Sequence, residues 1–147
     1  MSSAPIPEFP KLEANAFEAT KKAGTKHIVY LSGSNNGAEF MAGVHFTKWH
    51  AESEKRLRAL DVAWTILRPA FFNSNLIHSL GIVPRGGLFL PAGDGKDKPI
   101  DPRDIAAVAV KALTTPGHEG KVYELTGPEL LSYAEVVQKP QPQPANR

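Results

Sequence analysis

The chain has no cysteine among its 147 residues, which excludes disulfides, thiolate nucleophiles and Cys-based metal sites. It also lacks a long apolar run; nothing approaches the ~18 residues that a membrane span requires. The opening MSSAPIPEFP has neither the basic region nor the apolar stretch of a secretory signal. Charge of one sign is not in excess. The net charge is +2, with Lys and Arg interleaved with Asp and Glu, so there is no electrostatic case for nucleic acid. The plain reading is a cytoplasmic chain with no membrane and no nucleic-acid partner. No Gly-rich phosphate loop stands ahead of the first strand. What is present, 41% hydrophobic and 22% charged residues, is the composition of one ordinary domain.

Residues 1–10 hold three prolines and read as an extended lead-in. Over residues 11–23, Leu12, Ala16, Ala19 and Ala23 fall on one helical face, and Gly24 suits the C-terminal cap. HIVYLSG, residues 27–33, has no polar alternation from Ile28 to Leu31, the pattern of a parallel strand covered on both faces. A Gly/Asn/Ser-rich loop leads to a helix over about residues 45–60. Phe46, Trp49, Ser53, Leu57 and Leu60 share its inner face. The pairs Glu52–Arg56 and Glu54–Arg58 are spaced i,i+4 on the outside.

Residues 62–67, VAWTIL, form the next buried strand, and an Arg-Pro loop with two aromatics follows. LFLPAG is a candidate short strand and GDGKDKP a turn. Asp101, Pro102 and Asp104 mark a helix start, with Asp101 as N-cap. KVYELTG, residues 121–127, is a third strand. Ser132 and Glu135 have capping-box spacing before a last helix, and the Pro/Gln-rich residues 138–147 read as a disordered tail. The alternation predicts an α/β fold with a right-handed parallel crossover between neighbouring strands. Ligands of open α/β sheets sit at the carboxyl ends of the strands.

Taken together, HIVYLSG, HAESEKRLRA, WTILRPAFFNSN, PIDPRDIAAVAVKAL and KVYELTGPELLSYAEV resemble the NmrA-like branch of the atypical short-chain dehydrogenase/reductases. The resemblance covers nearly all of residues 11–137 and keeps the family's order and spacing. It implies a partial NAD(P)-binding domain with a Rossmann-type (doubly wound) parallel sheet, roughly strands five to seven of the family fold, without the N-terminal Gly-rich loop. It further implies an NAD(P)H-dependent oxidoreductase that delivers hydride directly to a small-molecule quinone, azo or carbonyl acceptor. Two alternatives stay open: a dinucleotide-sensing or partner-binding module without turnover, and an inactive truncated remnant.

By the same resemblance, Ser32 belongs to the cofactor loop near the nicotinamide ribose, a reading preferred here to that of a turn serine bonding its own backbone. Leu67, Arg68, Pro69, Ala70, Phe71 and Phe72 form the loop against the nicotinamide, although Phe71 or Phe72 also suits the core. Counting along the helix puts Phe46 at the position of the superfamily's acid tyrosine and His50 at that of its lysine. Phe46 cannot donate a proton. His50 is the one candidate acid, set against the plainer reading of a solvated helix-surface histidine. Asn73 and Asn75 line a substrate mouth or cap a turn. His45 and His78 have no ligand-like partners, so no metal site is expected. Finally, an apolar strand with one open edge invites pairing. Ile28, Val29, Tyr30 and Leu31 are the expected edge of a homodimer.

Overall fold

The computed structural model describes residues 8–34, 45–75 and 95–138. In order these form α1 (Phe9–Lys22), β1 (His27–Leu31), α2 (His45–Arg58), β2 (Ala63–Pro69), β3 (Lys96–Asp97), α3 (Pro102–Thr114), β4 (Lys121–Leu125), β5 (Leu131–Ser132) and α4 (Tyr133–Gln138). The three long apolar strands make one parallel sheet in the order β1-β2-β4, with Tyr30 opposite Ile66 and Ile66 opposite Val122. This is the expected Rossmann-type α/β arrangement.

Side chains alternate across a strand, so β2 divides its residues between two layers. Ile66 joins Tyr30, Phe17 and Leu57 in the core under α1 and α2, with Ile28, Leu60, Trp64 and Val122 packed against it. Thr65 and Leu67 face the other way and are equally buried, on the side where α3 lies against β1 and β2. α1 buries Phe9 and Phe17 rather than the expected Leu12–Ala16–Ala19 face, which is exposed. Large aromatic rings remove far more apolar area from water than alanines do. The helix also starts inside the expected lead-in, with Pro10 in its first turn, where a missing N–H costs nothing.

Gly24 does end α1. Its φ of +80° lets its N–H reach the Lys21 carbonyl (2.9 Å) while Thr25 N–H reaches Thr20 (3.3 Å), the paired bonds of a Schellman turn. Asp101 caps α3 by accepting from Arg103 N–H (2.8 Å), with Pro102 at the first turn as expected. The capping box also forms: Ser132 N–H donates to Glu135 Oε2 (2.7 Å) and Glu135 N–H to Ser132 Oγ (3.2 Å).

Three expectations need correction. β1 has helices against both faces but is only partly shielded by them: Tyr30 alone is buried, and Leu31 is 46% exposed. Arg68 and Pro69 are not loop. They extend β2 by two residues, in register with Glu124 and Leu125. A proline fits at this strand end because its carbonyl still serves, accepting from Ser34 N–H (3.0 Å). The expected turn around Lys96 and Asp97 is β3, paired antiparallel with β5. The candidate strand LFLPAG and the tail beyond Gln138 lie outside the described residues.

Candidate functional site

The carboxyl ends of the parallel strands are held together by one carboxylate. Glu54, on α2, is only 4% exposed. Its Oε1 accepts from Ser32 Oγ (2.7 Å), just past β1, and from Arg68 Nε (2.9 Å) on β2. Its Oε2 accepts from Arg68 Nη2 (2.7 Å) and, at longer range, from Arg58 Nη2 (3.3 Å). Arg68 continues to Glu124 on β4 (3.1 Å), so one guanidinium spans the helix and two strands. The two-pronged Arg–carboxylate geometry is the strong, directional form of this contact. Burial would raise the Glu54 carboxyl, but the hydrogen bonds from Arg68 and Ser32 and the charges of Arg68 and Arg58 prevail and hold it below its ordinary value. The Arg68 guanidinium is raised in turn, chiefly by its hydrogen bond to Glu54.

One helical turn earlier on α2 lies His50, 5% exposed. Its Nδ1 is 2.9 Å from the Tyr30 hydroxyl, which donates to Glu13 Oε2 on α1 (2.8 Å). The edge of the Phe9 ring covers the imidazole, with centroids 5.6 Å apart at 81°. Burial lowers the His50 pKa, with the Glu54 carboxylate pulling the other way. Burial also raises the Tyr30 phenol, and the hydrogen bond and charge of Glu13 add to the effect. Ser53 Oγ sits beside that hydroxyl, buried and without a well-aligned hydrogen bond. The solvated helix-surface reading of His50 is therefore corrected. α2 turns His50, Ser53, Glu54 and Leu57 inward, and of the two expected outer pairs only Glu52–Arg56 is exposed on both sides.

The other expected site residues fall into two groups. The Ser32 hydroxyl, the Leu67 side chain, the Arg68 guanidinium and Pro69 are buried or bound within the fold. Ala70, Phe71, Phe72 and Asn73 are half-buried at the strand ends, and Asn75 is exposed. Their backbone is stitched to the segment before α3: Ile100 N–H donates to Phe71 O (2.9 Å) and Asn73 N–H to Ile100 O (3.0 Å). That segment also meets Gly127, whose N–H donates to Lys98 O (3.0 Å); a Cβ there would collide with the Pro99 carbonyl. The Asn73 amide lies near Asp101, whose carboxyl is held down at about 2, first by the Arg103 side chain and then by Arg103 N–H. The sequence reading missed Glu54, Tyr30, Glu13 and Glu124. The available signal was the spacing His50–Ser53–Glu54–Leu57, a helical face with polar members.

At the opposite, amino end of the sheet the polar side chains are joined by single hydrogen bonds, with no ion pair among the residues that make them. The Thr65 hydroxyl donates to His118 O (2.6 Å) and accepts from His27 Nε2 (2.9 Å). His118 bridges Tyr123 OH (2.8 Å) and Thr115 Oγ (2.9 Å). No group of three or more metal-ligating side chains occurs among the described residues.

The family model for NAD(P)H binding matches residues 4–116. The chain belongs to this NAD(P)H-binding family. It is 42% identical over 132 residues to the NAD(P)H azoreductase of Xenophilus azovorans, covering 89% of this chain and 46% of that one. It is 33% identical over 128 residues to quinone oxidoreductase 2 of Escherichia coli K12, covering 86% and 44% respectively. Among solved structures, the E. coli NADPH-dependent quinone oxidoreductase complexed with NADPH superposes with a TM-score of 0.71 at 32% identity, over 88% of this chain and 45% of that one. The Citrobacter triphenylmethane reductase complexed with NADP(H) gives 0.69 at 27% identity, over 92% and 48%. The chain thus spans somewhat under half the length of these family members. No helix among the described residues is long and apolar enough to cross a membrane.

The side chains at the strand ends, Phe71, Phe72 and Asn73, are half-buried and uncharged, a lining whose chemistry fits a flat uncharged ring and offers no charge to a pyrophosphate.

Proposed function

We propose that this chain forms the nicotinamide-side portion of an NAD(P)H-dependent reductase acting on a quinone, azo or carbonyl acceptor. The observation that carries the reading is the family match, joined to the position of Ala70, Phe71 and Phe72 at the carboxyl ends of a parallel sheet. The azoreductase and quinone oxidoreductase relatives support this acceptor class. When bound, NAD(P)H supplies the hydride. In this reading the strand-end residues 70–73 orient the ring, and Ser32, Arg68 and Glu54 keep the strand ends in place beneath it. His50 handles the accompanying proton, and Asn73 and Asn75 border the acceptor.

The alternative is a dinucleotide sensor without turnover. It is favoured by Phe46 at the position of the superfamily's acid tyrosine and by the commitment of His50 to Tyr30. A thermal melt with and without NADPH separates the possibilities. Ligand at ~100-fold over its dissociation constant adds about 2.7 kcal/mol to stability. An upward shift followed by acceptor-dependent NADPH oxidation is the expected result. A shift without oxidation gives the sensor, and no shift overturns both. The outer edge of β1 is read as the seat of a second copy of the chain. Light scattering should find a dimer, and a monomer at high concentration would overturn that.

A further inference from the structure

The Tyr30 hydroxyl carries one hydrogen, and Glu13, His50 and the Ser53 hydroxyl all lie against it. It donates that hydrogen to Glu13 Oε2 at 2.8 Å. Its 2.9 Å contact with His50 Nδ1 can then be a hydrogen bond only if Nδ1 carries the proton. Both rings are buried, Tyr30 under Phe17 and His50 under Phe9, so water is poorly placed to substitute for either partner. In the neutral imidazole one nitrogen donates and the other accepts, and the hydrogen bond made by one sets the role of the other.

We propose that Glu13 and Tyr30 are positioning residues that hold His50 as its Nδ1–H tautomer, so that Nε2 is the nitrogen that accepts a proton or a donor group. Among the described residues, Glu54 from its own helix, Tyr30 from β1 and, through Tyr30, Glu13 from α1 are set about the ring. Burial keeps the ring neutral against the pull of Glu54. This proposal deepens the proton-handling role given to His50 under the proposed function. A neutral His50 in this state takes a proton at Nε2 before it gives one. In the reduction, which consumes one proton along with the hydride, it takes that proton from solvent at Nε2 and then passes it on to the acceptor. Glu13, at the half-exposed surface of α1, and the Phe9 lid make the state of this ring depend on how α1 is seated.

The test reads the imidazole nitrogens directly. The full chain is labelled with 15N-histidine, long-range 1H–15N correlations are recorded at pH 7.5, and His50→Gln identifies the signal among the five histidines. In the parent chain His50 should show a protonated Nδ1 and a bare Nε2. Glu13→Ala should reverse this. Without its carboxylate partner the Tyr30 hydroxyl turns to donate to Nδ1, and the proton moves to Nε2. Tyr30→Phe, which removes the acceptor, should shift the ring towards Nε2–H as well; since it disturbs a buried site, Glu13→Ala is the deciding variant. An Nε2–H tautomer or a cationic ring in the parent chain overturns the proposal. So does a His50 signal unchanged by Glu13→Ala. None of these readings needs turnover. Absence of an NADPH-induced thermal shift would sink the reductase reading and leave the tautomer assignment to stand or fall separately.

Discussion

The two ends of the sheet solve the same problem with different materials. At the amino end, Thr65, His27, His118 and Tyr123 satisfy one another through single hydrogen bonds, partly open to water. At the carboxyl end, Glu54 and Arg68 do so as a buried ion pair, with His50 and Tyr30 buried one turn away. Burying charge is costly unless every lone pair and proton is matched, and single hydrogen bonds open to water do the same tying at lower risk. The buried ion pair therefore sits where its rigidity bears on the proposed site, and the half-open hydrogen bonds where only the chain reversal from α3 to β4 has to be held.

The sharpest way to break this contrast is Glu54→Ala. It strands Arg68, which is only 20% exposed and keeps only Glu124 as its other partner. A loss of about 3–5 kcal/mol in urea-unfolding free energy is expected, the range for one-sided removal of a buried pair. Thr65→Val at the amino end should cost less, about 1–2 kcal/mol, because it leaves His27 Nε2 and the His118 carbonyl unpartnered where water can reach. Equal losses from the two substitutions would erase the distinction between the ends. The smallest effect is a gradual one, in the response to acid. Glu54 and His50 both have lower pKa values folded than unfolded, so as pH falls the unfolded chain takes protons first. The His50 contribution is whole above its unfolded value of 6.5 and declines below it, and that of Glu54 declines below 4.5. Denaturation profiles from pH 8 to pH 4 should show stability falling in that order. His50→Gln should remove only the upper part of the slope.

Much of the frame was legible in the sequence because it rests on local chemistry. The apolar runs of β1, β2 and β4 and the caps at Gly24, Asp101 and Ser132 depend on residues within a few positions of each other. The site was less legible for the same reason. Glu54 looked like half of an i,i+4 surface pair with Arg58, and its stronger partner, Arg68, stands 14 residues on in another element. His50 was flanked by acidic residues, and only its place under Phe9 and against Tyr30 shows it to be buried. β3 is two polar residues whose strand conformation exists only because β5 lies beside them. Arg68 and Pro69 looked like loop because proline usually ends a strand; here it sits at the last position, where its carbonyl is enough.

The chain's two tryptophans divide along the same line. Trp49 lies 6.3 Å from Phe9, beside the ring that covers His50. Trp64 opens β2 at the other end, with the Arg58 guanidinium 5.1 Å from its ring centre. Each indole therefore reports on its own surroundings. In single-tryptophan variants, the emission of Trp49 would follow the seating of α1 over His50, while that of Trp64 would follow Arg58, which ties the start of β2 to Glu54. The molecule carries two built-in optical probes that can tell whether it opens as one unit or loosens first where the dinucleotide is proposed to sit.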